Sequence, residues 1–185
     1  MTELEFVGVM RTVSDQLRAQ GVAHCVGGSV SSSRHGMVRS TLDIDFVADL
    51  TPEQARALVR ALTPTFYADE ETAVLAAREG RSFNLIDTVT VIKVDIFVAR
   101  GDPIARSSIA HATPDMHGVP ISSAVDTLVA KLRWFRIGGE TSERQWRDVI
   151  GMLRAGLDPN DRKRLERLGA IAEVTDLLAR ADAEA

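Results

Sequence analysis

The chain has 185 residues, of which 45% are hydrophobic and 26% are charged, and its formal net charge is −4. A chain of this length and composition can bury a self-sufficient core, and it has no low-complexity tract of the kind that marks disorder. The acidic balance excludes a general nucleic-acid coat protein, because contact with phosphates requires a basic surface. The single cysteine, Cys25, excludes an internal disulfide, and we expect it to be a buried, inert thiol.

No segment predicts targeting or membrane insertion. The first residues include Glu3 and Glu5, which make this end acidic, and no apolar run approaches the roughly 20 residues that a membrane-spanning helix needs. A lone cysteine agrees with a reducing compartment. We therefore expect a cytoplasmic protein that does not contact a membrane.

The first predicted elements are a helix, a strand and a second helix. Apolar residues at positions 6, 10, 13 and 17 stripe one face of a helix that Gly21 ends. Residues 22–26 form an apolar run that predicts a short buried strand, closed by two glycines. Ser29 then begins a second helix, which extends to about residue 34.

The next predicted elements are a strand and two helices. Polarity alternates over residues 42–48, so that Asp43 and Asp45 share one face of a strand. A capping box at residues 51–54 begins a helix, because Thr51 can cap it and Gln54 can reach back. A shorter helix follows over residues 70–78.

Two extended runs, residues 83–86 and 91–98, predict a hairpin. In the second run Lys93 and Asp95 share one face of the strand. An aspartate in the middle of a strand is unfavourable unless something requires it. Asp95 is therefore a candidate functional residue.

Beyond a loop rich in Gly, Pro and His, the rest of the chain predicts helices. Capping boxes begin at Ser123 and Ser142, and Asp158 with the proline after it begins a third helix. The order of elements predicts an α/β fold with a small mixed sheet over residues 1–120. A helical annex over residues 121–185 should pack against that core.

Three carboxylates and a glycine–serine turn carry the chemical interpretation. Asp43 and Asp45 project in one direction, and Asp95 on a neighbouring strand can complete a cage of oxygen ligands that suits Mg²⁺. The turn formed by Gly28 and Ser29 opens a helix, whose N–H groups and positive end suit a triphosphate. Each signal alone is weak, but together they predict phosphoryl or nucleotidyl transfer with two Mg²⁺ ions. Without metal, at least one of the crowded carboxyl groups should have a raised pKa.

The spacing of these motifs resembles the nucleotidyltransferase superfamily that includes DNA polymerase beta. The motifs are, in order, Gly27-Gly28-Ser29, Asp43-Ile44-Asp45 and Val94-Asp95-Ile96. The resemblance to the AbiEii-like bacterial toxin branch is closer. The features that carry it are Arg34 after the glycine motif, Thr41 before the carboxylate pair, Lys131 as a downstream lysine and Arg147-Asp148 as a late Arg-Asp element.

This resemblance implies a nucleotidyltransferase core with a C-terminal helical annex. The implied enzyme moves a nucleoside monophosphate from a triphosphate to an acceptor hydroxyl on a tRNA or a protein and releases pyrophosphate. It could be the toxin of a toxin–antitoxin system, with a cognate antitoxin or toxin as partner. Asp43, Asp45 and Asp95 would be catalytic and hold Mg²⁺, and the residues that would bind the nucleotide are Gly28, Ser29, Arg34 and Lys131.

Two other functions remain open from the sequence. A relative of the antitoxin type would attach AMP to a partner toxin, and a non-catalytic module would bind a nucleotide without turnover. The complete set of three carboxylates disfavours the module, since like charges repel one another without metal. Histidine spacing disfavours a zinc enzyme, and the glycine motif lacks the Gly-Lys-Ser/Thr of a P-loop ATPase.

Two expectations concern the annex. Asp148 receives no firm role, because the late motif of the family carries a second aspartate where this chain has Gly151 and Met152. If the acceptor is a tRNA, four arginines should form one exposed basic patch beside the site. These are Arg133, Arg136, Arg144 and Arg147.

Overall fold

The structure, a computed structural model, describes residues 2–36 and 42–185. Thr41, one of the residues that carry the resemblance, lies outside these ranges. The described chain forms a seven-stranded sheet with helices packed against it. None of its described helices is long and apolar enough to cross a lipid bilayer.

The described helices and strands alternate along most of the chain and end in a run of four helices. In chain order they are α1 (Glu3–Ala19), β1 (His24–Val26), α2 (Gly28–Arg34), β2 (Asp43–Ala48), α3 (Pro52–Leu62), β3 (Phe66–Tyr67), α4 (Glu70–Glu79), β4 (Ser82–Asp87), β5 (Lys93–Val98), α5 (Pro103–Ala110), β6 (Thr113–Pro114), β7 (Pro120–Ile121), α6 (Ala124–Ile137), α7 (Glu143–Ala155), α8 (Pro159–Ile171) and α9 (Thr175–Glu184).

Local side-chain caps explain where several helices begin. Thr51 forms the predicted capping box with Gln54 at the start of α3. The sequence predicts a loop between β5 and α6. This prediction is wrong over Pro103–Ala110, which form the helix α5. Asp102 caps α5 by accepting from the N–H groups of Ile104 and Ala105, and Pro103 occupies the first turn. Two short strands, β6 and β7, also lie in that segment.

The sheet is mixed, as the sequence predicts, with the strand order β3-β4-β5-β2-β1-β7-β6. β2 and β5 are parallel neighbours, whereas β1 pairs with β2 and β4 pairs with β5 in antiparallel fashion. Cys25 on β1 is buried, and burial raises the pKa of its thiol to about 12. The predicted burial of the Cys25 thiol is therefore confirmed.

Among the described residues, buried apolar side chains form two clusters. The first joins one face of the sheet to α1, α3 and α4, and the second holds α6 to α9 together. Ile121 belongs to the first cluster and Ile104 to the second, so the clusters overlap in sequence. The division of the chain at residue 120 stays a prediction.

Candidate active site

The parallel pairing of β2 and β5 brings the predicted carboxylates together. Asp45 lies directly beside Asp95 in the strand register, and Asp43 lies beside Lys93 two residues earlier. Paired residues of neighbouring strands project from the same face, with the strands about 4.8 Å apart. The four side chains therefore form a square on one face of the sheet. We call these residues, Asp43, Asp45, Lys93 and Asp95, the charged square.

Burial on the opposite face of the same strands explains this orientation. Ile44 and Phe46 on β2 and Val94 and Ile96 on β5 are fully buried in the first cluster. Because side chains alternate along a strand, burying these four turns the charged residues between them to the other face. The apolar core thereby fixes which way the aspartates point.

Gly28 lies against the carboxylate of Asp45. It is the first residue of α2, with φ +54°, and a Cβ at this position would lie 1.8 Å from Oδ2 of Asp45. The N–H of Gly27 also donates to the carbonyl oxygen of Asp45 at 2.8 Å. Only glycine therefore leaves room for the carboxylate, and the half-buried Ser29 follows in the same helical turn.

The charged square perturbs the ionisation of Asp45. Burial raises the pKa of this carboxyl group, and the negative charges of Asp95 and Asp43 raise it further. The positive charges of Lys131 and Lys93 oppose the shift. The expectation that at least one of the crowded carboxyl groups has a raised pKa is confirmed.

Lys93 is the direct partner of Asp95. Its Nζ donates to Oδ2 of Asp95 at 2.9 Å, and this hydrogen bond raises the pKa of Lys93. Within residues 2–36 and 42–185, no three His, Cys, Asp or Glu side chains converge closely enough to hold a metal ion. The oxygen donors and their shared face fit Mg²⁺. Oδ2 of Asp95, one of these oxygen donors, accepts the hydrogen bond of the Lys93 ammonium group.

Lys131 lies on α6, and its charge acts on Asp45. Its Nζ donates to Oδ2 of Asp148 at 2.7 Å, and the two side chains are only 9% and 3% exposed. The ammonium group is near enough to Asp45 to lower the pKa of that carboxyl group. The structure thus gives Asp148 a partner that sequence reasoning did not identify, since α6 and α7 meet only in the folded chain.

Arg34, the remaining predicted nucleotide-binding residue, is not brought to the charged square by any hydrogen bond in the described chain. It lies at the end of α2, and its guanidinium group is 3.5 Å from Oγ1 of Thr113 and 3.4 Å from the carbonyl oxygen of Pro114. Both partners belong to β6. A role of Arg34 in nucleotide binding stays a prediction.

A hydrogen-bonded network ties α2 to the annex. Oγ of Ser31 donates to the carbonyl oxygen of Ser122 at 3.0 Å and lies 2.5 Å from Oγ1 of Thr127. The ring of His35 contacts the same Ser122 oxygen at 2.9 Å. The helix that begins at Gly28 is therefore held from the side of α6. Sequence reasoning missed this network because serines within a helix predict no particular partner.

The four annex arginines do not form one free basic patch. Arg133 pairs with Asp102 at 2.5 Å, Arg136 with Asp176 at 2.5 Å and Arg147 with Glu143 at 3.0 Å. These partners lie before α5, in α9 and in α7. Three of the four arginines thus have a carboxylate partner.

Several solved protein structures have a fold similar to that of this chain. No family model and no curated protein matches the sequence. Among solved structures, an antigenic nucleotidyltransferase-like protein from Paracoccidioides brasiliensis matches with a TM-score of 0.57 and 16% identity, over 99% of this chain and 94% of that chain. The antibiotic-resistance factor ANT(2'')-Ia matches with a TM-score of 0.53 and 15% identity, over 100% of both chains.

A third match is the lincosamide antibiotic adenylyltransferase LnuA, lincomycin-bound, with a TM-score of 0.50 and 14% identity. It covers 82% of this chain and 96% of that chain. At such identities the likeness shows the fold, and membership of the AbiEii-like branch stays a prediction. The chain, with its mixed sheet, its glycine turn against Asp45 and its helical C-terminal part, has the nucleotidyltransferase fold.

Proposed function

We propose that this chain is a Mg²⁺-dependent nucleotidyltransferase, which moves a nucleoside monophosphate from a triphosphate to an acceptor hydroxyl. One observation carries the proposal: Asp45 and Asp95 lie in register on parallel strands, with the carboxylate of Asp45 against Gly28. Carboxylates that repel one another beside a glycine at the start of a helix suit a metal-bound triphosphate. The similarity of the fold to that of nucleotidyltransferases supports the same proposed activity.

Asp43, Asp45 and Asp95 are the residues that would hold Mg²⁺, since carboxylate oxygens are its preferred protein ligands. Bound Mg²⁺ would neutralise charge on the phosphates and polarise the bonds that react. Burial and the charges of Asp95 and Asp43 raise the pKa of Asp45, so negative charge is unfavourable at this place. A divalent cation would relieve it.

In the proposed reaction one bond to phosphorus forms, one bond to phosphorus breaks, and one proton moves. The acceptor oxygen bonds to the α-phosphorus, the bond from that phosphorus to the oxygen bridging it to the β-phosphorus breaks, and pyrophosphate leaves. Asp95 accepts the proton of the acceptor hydroxyl. Gly28 and Ser29 hold the phosphates, and Lys131, fixed by Asp148, supplies a positive charge to them.

The charge distribution favours a protein or small-molecule acceptor over a tRNA. Three of the four annex arginines are used in ion pairs, so they do not provide the basic patch that tRNA phosphates require. LnuA is an antibiotic adenylyltransferase and ANT(2'')-Ia an antibiotic-resistance factor, which supports an acceptor of the small-molecule class here. A role as the toxin or the antitoxin of a pair stays a prediction.

A labelling experiment tests the proposed function. The purified chain is incubated with Mg²⁺ and each α-labelled triphosphate in turn, together with total RNA, lysate protein or the small-molecule fraction of a lysate. We expect one triphosphate to label one pool. Asp45→Asn should lower the rate on the order of a thousandfold, because it removes one metal-binding charge while keeping the side-chain shape.

The matched control is Asp49→Asn, which makes the same change at an exposed aspartate just after the end of β2. It should leave the rate unchanged. Absence of transfer by the wild type with every triphosphate and pool would overturn the proposal, as would an Asp45→Asn variant as active as the wild type. Magnesium-dependent nucleotide binding without any transfer would identify the chain as a binding module.

A further inference from the structure

The charged square contains one positive group among its negative ones. Asp43, Asp45 and Asp95 contribute three carboxylates and Lys93 one ammonium group, so the ionised square has a formal charge of −2. Lys93 lies beside Asp43 on the neighbouring strand and two residues before Asp95 on its own strand. It is therefore next to two of the three carboxylates.

The ammonium group of Lys93 occupies an oxygen that a metal ion would need. Nζ of Lys93 is 2.9 Å from Oδ2 of Asp95, whose side chain is only 16% exposed. A carboxylate so far withdrawn from water needs a compensating partner. In the described chain Lys93 is such a partner of Asp95. Among the described residues, no three carboxylates lie close enough together to hold a metal ion in this arrangement.

The two lysines near the square differ in their freedom to move. Lys131 is held by Asp148 and its side chain is 9% exposed, so its ammonium group is fixed between helices. The side chain of Lys93 is 43% exposed, and its four-carbon stem is flexible. Lys93 can thus swing into water without movement of the backbone, whereas Lys131 cannot.

We propose that Lys93 is an internal counter-cation of the metal site: it binds Asp95 in the metal-free chain and must leave for a divalent cation to bind. Lys93 thereby lowers the affinity of the site for metal and stabilises the metal-free fold. This inference rests on the proposed function, because it takes the three aspartates as metal ligands. If the role of Lys93 were purely structural, its replacement would change the stability of the fold but not the affinity of the site for metal.

Manganese binding to the intact chain tests the inference. Free Mn²⁺ is measured by electron paramagnetic resonance in a titration without nucleotide, for the wild type and for Lys93→Met, which keeps the length of the stem and removes the charge. We expect Lys93→Met to bind Mn²⁺ about tenfold more tightly, since one competing ion pair is lost. Lys93→Arg should bind Mn²⁺ as the wild type does.

A second readout uses thermal unfolding. In EDTA the Lys93→Met variant should unfold at a lower temperature than the wild type, because repulsion among the aspartates is uncompensated, and excess Mn²⁺ should reverse the difference. Lys163→Met, at an exposed lysine of α8, is the matched control and should change neither readout. Lys93→Gln replaces Lys93→Met if the latter does not fold.

The outcomes separate this inference from the proposed function. Equal Mn²⁺ affinities for Lys93→Met and the wild type, with weaker binding by Asp45→Asn, would overturn the role of Lys93 and leave the metal site intact. If no variant and no wild-type chain bound Mn²⁺, with or without ATP, the metal site itself would be wrong, and the proposed function would fall with it.

Discussion

Gly28 and Asp45 constrain each other at the scale of single atoms. A methyl group on Gly28 would overlap the Asp45 carboxylate, with its Cβ 1.8 Å from Oδ2. We expect Gly28→Ala to displace this carboxylate and to lower the transfer rate on the order of a hundredfold. The left-handed backbone at φ +54° adds a stability loss of about 1–2 kcal/mol. Transfer assays and urea unfolding measure the two effects.

Gly21→Ala is the control that separates the effect of left-handed backbone strain from the effect of overlap with the Asp45 carboxylate. Gly21 follows α1 with φ +66°, and nothing lies within 4 Å of a Cβ built there. This variant should show a similar loss of stability with normal transfer. An equal loss of activity in both variants would mean that backbone strain, and not the position of the Asp45 carboxylate, limits the reaction.

The ionisation of Asp45 makes stability depend on pH. Because burial, Asp95 and Asp43 raise its pKa in the folded chain, the folded state binds this proton more tightly than the unfolded state. The resulting contribution to stability is present below the unfolded pKa and is lost as pH rises through the folded pKa. In EDTA, Asp45→Asn should therefore gain stability relative to the wild type at pH 7, and gain less at pH 4.

Urea unfolding of both proteins at the two pH values checks this prediction. Asp49→Asn again serves as the control, since Asp49 is exposed. A variant without any gain at pH 7 would mean that Lys93 and Lys131 fully compensate the charge of Asp45.

Sequence alone identifies the aspartates and predicts that Asp95 lies on a strand next to that of Asp43 and Asp45, but it does not give the register of the two strands. The alternation of polar and apolar residues is a local pattern. It therefore predicts that Asp43 and Asp45 share one face of β2, and that Lys93 and Asp95 share one face of β5. The register that sets Asp45 beside Asp95 joins strands fifty residues apart, and nothing in either strand specifies it alone. The contact of Lys93 with Asp95 depends on a side-chain conformation, which the sequence does not encode locally.

At the scale of elements, prediction succeeded where a signal spans a few residues. The stripe of apolar residues predicts α1, and side-chain caps predict the starts of α3, α6, α7 and α8. The sequence-based prediction omits α5, although Asp102 and Pro103 form a start signal, because this short helix lies within a stretch rich in loop residues. The strands β6 and β7 have two residues each, too few for any periodicity.

The pair formed by Lys131 and Asp148 joins α6 to α7. Its side chains are nearly inaccessible, so removal of the Asp148 charge leaves the Lys131 ammonium group buried without this carboxylate. We expect Asp148→Asn to lower the free energy of unfolding by about 3–5 kcal/mol. The double variant Lys131→Met with Asp148→Leu should lose less stability than the sum of the losses of Lys131→Met and Asp148→Leu made singly.

Urea unfolding of the single and double variants measures this coupling. The exposed pair of Arg147 and Glu143, with side chains 73% and 84% exposed, provides the comparison. Glu143→Gln should change stability by less than about 1 kcal/mol. Additive losses at Lys131 and Asp148 would contradict a buried pair that acts as a unit.

At the scale of the whole molecule, charge sets which acceptors can approach. The chain is acidic overall, and three annex arginines are already paired. We expect tRNA to bind no more tightly than non-specific complexes, with a Kd of about 10⁻⁴–10⁻⁶ M at physiological salt. Filter binding over a range of salt concentrations measures this. Nanomolar binding with a steep salt dependence would restore tRNA as the acceptor.

The parallel pairing of β2 with β5 also governs how the site comes into existence as the chain folds. α3, β3, α4 and β4 lie between these strands in the chain, and such non-local pairing is slow to form. During synthesis Asp43 and Asp45 emerge well before Asp95, so a nascent chain lacks the third carboxylate. A slip of β5 by one residue would turn Asp95 into the apolar core and Val94 out to solvent. Correct strand register and an assembled site therefore arrive in the same folding step.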